Sequence, residues 1–94
     1  PDIERETEII RLRVPGVSEA LARQIASSVR KMRRWSLLKP PGLAESVDWA
    51  QVMTDLEAEA LNEDNVSLTL GCVLKTQEDM ESVYQKGLAL LWTV

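Results

Sequence analysis

The chain has 94 residues, of which 45% are hydrophobic and 28% are charged, and its formal net charge is −4. This balance is typical of a single globular domain and excludes a disordered tail. No apolar run reaches the roughly 20 residues of a membrane-spanning helix, and no signal-peptide pattern opens the sequence, so we expect a cytoplasmic protein without a membrane partner. The single cysteine, Cys72, excludes a disulfide within the chain and is typical of a packing residue.

The charges are unevenly distributed along the sequence. Residues 18–35 carry five basic side chains against one acid, and residues 36–60 carry five acids against Lys39 alone. A basic helix followed by an acidic one can pair within the domain or offer two faces to different neighbours. The negative net charge disfavours a nucleic-acid partner.

The first two predicted helices form a hairpin. Asp2–Arg13 has acids near its start and arginines near its end, which suit the helix dipole. Val14-Pro15-Gly16 ends this helix, and Ser18 is the predicted N-cap of the second. The second helix has an inward stripe with helical spacing, made of Leu21, Ile25, Val29 (or Ser28), Met32 and Trp35.

The segment Ser36–Gly42 is the main break, because Pro40 and Pro41 cannot continue a helix. A third helix is predicted from about Leu43 to Ala60. It has two apolar stripes, which indicate the buried central helix of a bundle; one is Leu43, Val47 and Ala50, and the other is Trp49, Met53, Leu56 and Ala60.

Two further helices complete the prediction. Asn62 is the expected N-cap of the fourth, which carries Val66, Leu70, Val73 and Leu74. Thr76-Gln77-Glu78-Asp79 resembles a capping box that starts the fifth, which carries Met80, Val83, Tyr84, Leu88 and Leu91. Strand patterns are almost absent, so we predict an all-α bundle of four to five helices forming one domain over 1–94. The apolar tail 85–94 must fold back or meet another domain to avoid exposing Leu88, Leu90, Leu91 and Trp92.

Few residue types that support catalysis are present. The chain has no histidine, and its four glycines stand singly, so there is neither the commonest general base nor a phosphate-binding loop. Cys72 has no histidine to activate it as a nucleophile. Glu78 and Asp79 lie at a helix start, where the dipole accounts for them without catalysis. We therefore expect no catalytic residue, no metal site and no enzymatic activity in this chain alone.

Two local patterns are candidate binding sites. Val14-Pro15-Gly16-Val17-Ser18, followed by Ala22 and Ile25, partly matches a DNA-binding helix-hairpin-helix, although Ser18 stands where that motif has a second glycine. The other pattern is the run from Lys39 to Ala50. There a stiff turn of Pro40, Pro41 and Gly42 carries Lys39 to a helix start bearing Glu45, Asp48 and Trp49. The free backbone N–H groups at such a helix start can bind a phosphate.

The Lys39–Ala50 run resembles the lid subdomain of MoxR-like AAA+ ATPases, in particular the CoxD-type branch. Members of that branch show a Lys-Pro-Pro-Gly turn, then Ala-Glu-Ser or Ala-Glu-Thr, then Asp-Trp-Ala. Similarities on both sides of this run extend the resemblance over residues 1–84, whereas residues 85–94 have no counterpart. The flanking similarities lie at Glu4-Arg5-Glu6, Val14–Ser18, Leu70, Leu74-Lys75 and Glu78-Asp79.

The resemblance implies an all-helical, AAA+ lid-like fold that closes over nucleotide and contacts a neighbouring subunit of a ring. The parent protein would be a chaperone-type ATPase that uses ATP and Mg. Its partners would be the AAA+ core of the same chain, adjacent subunits and a von Willebrand factor A domain protein. Lys39 and Glu45 would face nucleotide or core, and Asp48 and Trp49 would form an interface.

The sequence departs from many AAA+ lids at one position. Those lids supply a sensor arginine near the start of the third lid helix, where this chain reads Leu43-Ala44-Glu45-Ser46. Lys39, or a side chain from elsewhere, would have to serve instead. Two alternatives stay open beside the lid, namely a helix-hairpin-helix-like DNA-binding module and a helical protein-interaction domain without a nucleotide role.

Overall fold

The computed structural model describes residues 2–93, and these form five α-helices and two short 3-10 helices without any strand. The α-helices are α1 (Ile3–Arg13), α2 (Glu19–Arg33), α3 (Leu43–Asp55), α4 (Glu63–Thr69) and α5 (Gln77–Lys86). The 3-10 helices are Leu70–Cys72 and Leu88–Leu91. The predicted all-α bundle of four to five helices is confirmed. No helix in this described part is long and apolar enough to cross a membrane.

The hairpin of α1 and α2 follows the sequence prediction closely. The Asp2 carboxylate accepts a hydrogen bond from the Arg5 N–H at 2.8 Å, and the Ser18 hydroxyl accepts from the Leu21 N–H at 3.1 Å, so both helices have side-chain caps. Gly16 turns the chain with a φ of +96°. The predicted stripe of α2 is buried from Leu21 to Met32, while Trp35 lies beyond the helix end and is half-buried.

Helix α3 is shorter than predicted, and this is a correction. It ends at Asp55 rather than Ala60, and Leu56 and Ala60 are exposed, so the second apolar stripe stops at Met53. The reason is a Schellman-type turn. The Ala58 N–H donates to the Met53 carbonyl at 3.0 Å, and Glu57 adopts the left-handed φ of +60° that reverses the chain.

The last two predicted helices are also interrupted. Helix α4 ends at Thr69, and Leu70 continues in a 3-10 turn, although Val66, Leu70, Val73 and Leu74 are all buried as expected. Helix α5 ends at Lys86, because Gly87 leaves the helical path with a φ of +105°. Leu88 and Leu91 are therefore buried on a separate turn, and Tyr84 is 48% exposed.

The apolar tail folds back onto α2. The Ser28 hydroxyl donates to the Leu91 carbonyl at 2.5 Å, and the Lys31 ammonium donates to the Leu90 carbonyl at 2.7 Å and to the Thr93 carbonyl. The Leu91 side chain is fully buried. Folding back buries Leu88 and Leu91, whereas Leu90 is 48% exposed and Trp92 is half-buried.

Candidate functional site

The Lys39 loop, residues 36–42, connects α2 to α3 and projects a short exposed tip. Leu37 and Pro41 are buried, whereas Leu38, Lys39 and Pro40 between them are exposed, with Leu38 at 68%. Burial of Leu37 and Pro41 attaches both ends of the tip to the bundle. Ser36, just before this tip, adopts a left-handed φ of +53°.

Asp79, at the start of α5, holds the tip directly. One oxygen of its carboxylate accepts from the Leu38 N–H at 2.8 Å, and the other accepts from the Lys39 N–H at 2.9 Å. Only 2% of Asp79 is exposed. Burial raises the pKa of Asp79, but the hydrogen bonds from the Lys39 and Leu38 backbone, together with the nearby Thr76 hydroxyl, outweigh it, so its pKa lies below the ordinary value.

Arg33 anchors the other end of the loop. Its Nε donates to the Pro41 carbonyl at 2.8 Å, and its Nη1 donates to Glu6 Oε2 at 2.7 Å. Glu6 is buried within α1, and its Oε1 has no hydrogen-bond partner among the described residues. One guanidinium therefore joins α1, α2 and the Lys39 loop, and its planar fork suits such simultaneous contacts.

Of the two predicted cofactor-binding residues, the Glu45 side chain has a structural role within the chain and the Lys39 side chain has none among the described residues. Glu45 Oε1 accepts from the Gly42 N–H at 2.7 Å and so caps the start of α3. Gly42 has no side chain, so the cap consists of this one arm of a capping box. Lys39 is exposed and forms no salt bridge within residues 2–93. No hydrogen bond links Lys39 to Glu45 there.

The two predicted interface residues lie in different environments. Asp48 is exposed on α3 and is free to meet a partner. Trp49 is fully buried, and its Nε1 donates to the Thr69 hydroxyl at 2.8 Å. Because it has no exposed surface, Trp49 is a core residue in this structure, and its assignment to an interface is corrected.

The geometry of the Val14–Ser18 turn does not favour the helix-hairpin-helix alternative. Glu57 and Glu59 line the same surface depression as Gly16 and Ser18, so an approaching phosphate would meet two carboxylates. The Ser18 hydroxyl is already engaged as the cap of α2. Several cations of α2 also have partners within the chain, since Arg23 pairs with Glu4 and Arg33 with Glu6.

Comparison of the chain with protein-family models, with curated proteins and with solved structures gives no match. The resemblance to MoxR-like lids therefore rests on the residues quoted above. Within residues 2–93, no three histidine, cysteine, aspartate or glutamate side chains are grouped to hold a metal ion.

Sequence reasoning identified the Lys39 loop but missed the residues that hold it. The sequence places Asp79 at the start of the fifth helix, and it gives Glu6 and Arg33 no individual structural role. The one available signal was the acid of the Thr76 capping box, which is Asp79 rather than the usual Glu or Gln. Contacts across 41 and 27 positions of sequence cannot be read from local spacing.

Proposed function

We propose that this chain is the helical lid of a MoxR-like AAA+ ATPase and that its Lys39 loop meets the nucleotide or the adjoining core. The observation that carries the proposal is an exposed lysine on a tip whose backbone is held by Asp79 and Arg33. A loop ordered in advance loses little conformational entropy on binding, which favours recognition. An ammonium without a salt-bridge partner among residues 2–93 suits a phosphate or a carboxylate.

The lid acts without its own catalytic residues. The parent protein would supply the phosphate-binding loop and the metal-binding acids, and it would bind ATP and Mg. This chain would close over that nucleotide, and its exposed Asp48 would face the core or a neighbouring subunit of the ring. A von Willebrand factor A domain protein is the further partner that the resemblance implies. The isolated chain should then show no ATPase activity.

The proposal is tested by Lys39→Ala in the full-length protein, with Lys75→Ala as the matched control. Both lysines are exposed, but Lys75 lies outside the Lys39 loop. In the isolated chain each change should alter the free energy of unfolding by no more than about 0.5 kcal/mol, as at an ordinary surface site. In the full-length protein Lys39→Ala should weaken binding of a non-hydrolysable ATP analogue about tenfold, which corresponds to about 1.4 kcal/mol. Lys75→Ala should leave that affinity unchanged.

Two results would overturn the lid proposal. The first is wild-type nucleotide affinity and turnover in Lys39→Ala. The second is a natural full-length protein without a phosphate-binding loop roughly 200 residues before Pro1, the distance that a core domain occupies.

A protein-interaction domain without a nucleotide role is the second candidate, and one observation favours it. Leu38 is 68% exposed immediately beside Lys39 on the tip that Asp79 holds, so an apolar and a cationic side chain are presented together to a partner. Leu38→Ser then separates the two functions. Loss of binding to a partner protein with unchanged nucleotide affinity would support the interaction domain, and the converse would support the lid.

A further inference from the structure

Asp79 supports the exposed tip of the Lys39 loop. Its two carboxylate oxygens accept from Leu38 and Lys39, two consecutive exposed residues, at 2.8 and 2.9 Å. Two hydrogen bonds to neighbouring amides fix the orientation of both peptide planes. They thereby restrict the direction in which the Lys39 side chain leaves the backbone.

These hydrogen bonds do not serve the helix that contains Asp79. In a capping box the acid at this position accepts from the backbone N–H of the N-cap residue, which here is Thr76. The Asp79 carboxylate instead accepts from Leu38 and Lys39, about forty positions away in sequence. The Thr76 hydroxyl still caps α5 by accepting from the Asp79 N–H at 3.1 Å. Helix formation therefore does not account for the direction of the carboxylate.

We propose that Asp79 is the positioning residue of the candidate site, a buried carboxylate that directs Lys39 toward the negative charge of its ligand. Asp79 lies inside the bundle and acts only through the loop backbone. The inference rests on the proposed function, because it names the residue that orders the same site. Loss of the carboxylate should leave the bundle folded and release the tip into several conformations.

The first experiment measures the loop in the 94-residue chain. Asp79→Asn keeps the size of the side chain but replaces one acceptor oxygen with a donor. Amide hydrogen exchange at Leu38 and Lys39 should accelerate at least about tenfold beyond any change at core amides of α2. Asn62→Ala is the matched control, because it removes the N-cap of α4 without touching the loop. In this control variant, amide exchange rates should change only as far as the global stability changes.

The second experiment measures affinity for a non-hydrolysable ATP analogue in the full-length protein. If release of the tip lowers the binding-competent population to about one third, Asp79→Asn should weaken affinity about threefold. The same change added to Lys39→Ala should cause no further loss, since the side chain that Asp79 directs is already gone. Asn62→Ala should leave affinity unchanged. Asp79→Glu, which keeps the charge but displaces the oxygens, is the second variant if Asp79→Asn does not fold, and it should weaken affinity in the same way.

The outcomes separate the inference from the function on which it rests. Full affinity in Lys39→Ala would overturn both the lid site and its positioning residue. Weakened affinity in Lys39→Ala together with full affinity in Asp79→Asn would overturn the positioning role alone. Unchanged exchange at Leu38 and Lys39 in Asp79→Asn, or an equal loss of affinity with and without Lys39, would overturn it too.

Discussion

The indole Nε1 of Trp49 donates a hydrogen bond of 2.8 Å to the hydroxyl of Thr69, and both side chains are buried where α3 meets α4. The Thr69 hydroxyl in turn donates to the Asn65 carbonyl at 2.8 Å. The largest side chain of the core therefore has its only polar atom satisfied inside the bundle, which makes its burial favourable.

Trp49→Ala should bring the chain close to unfolding. Truncation of a buried tryptophan typically costs about 3–5 kcal/mol, and a small domain has a total stability of only about 5–15 kcal/mol. Thr69→Val should cost about 1–3 kcal/mol, because it leaves the indole N–H buried without a partner. Chemical denaturation measures both. Trp35→Ala, at a half-buried position, is the control and should cost less than Trp49→Ala.

Glu45→Ala should destabilise the isolated chain more than Lys39→Ala does. Glu45 Oε1 accepts from the Gly42 N–H at 2.7 Å, and loss of a helix cap costs about 0.5–2 kcal/mol. Glu45→Gln should retain most of the stability, since glutamine also serves in a capping box. Urea denaturation of the three variants tests the order. Equal stability of Glu45→Ala and wild type would contradict a capping role.

Asp79 should contribute to loss of stability in acid. Its folded pKa lies below the ordinary value, so the unfolded chain binds a proton more readily than the folded one. Its contribution is present above the unfolded pKa of about 3.9 and is lost as pH falls through the lower folded pKa. Asp79→Asn should therefore reduce stability at neutral pH and flatten its decline below about pH 4. Denaturation midpoints across this range test the slope, which Asn62→Ala should leave as in wild type.

At two left-handed positions, introducing a glycine and removing one should have opposite effects on stability. Glu57 adopts a φ of +60°, a conformation that costs a residue with a side chain roughly 1–2 kcal/mol, so Glu57→Gly should stabilise the chain. Gly87 adopts a φ of +105°, so Gly87→Ala should destabilise it although no atom lies within 4 Å of the added methyl group.

Gly71→Ala is the control for this pair. Its backbone is not left-handed, and its surroundings are also open, so alanine should be neutral or stabilising by about 0.4–1 kcal/mol. Thermal unfolding distinguishes the three changes. A destabilised Glu57→Gly would show that its side chain makes a favourable contact that outweighs the strain.

The candidate loop could be located from sequence, but its support could not. Pro40 and Pro41 mark the break because a proline cannot continue a helix from the preceding turn, and Lys39 is conspicuous as the only cation between Arg34 and Lys75. Asp79 and Arg33 reach this loop only after α2 and α5 have packed. Before that point their charges are indistinguishable from those of any solvated helix surface.

The sequence by itself determined the helical class, the α1–α2 hairpin, the caps at Ser18, Asn62 and Thr76, and the buried stripe of α2. These features depend on residues three or four positions apart, so the local backbone expresses them directly. Only the tertiary structure decided where α3 ends. The left-handed position that ends a helix is usually a glycine and can then be recognised in the sequence, but here it is Glu57. The tertiary structure also decided between the two predictions for Trp49, a buried stripe and an interface, and it showed that the tail is held by Ser28 and Lys31. Such contacts join distant residues, and their free energy exists only once the helices have packed.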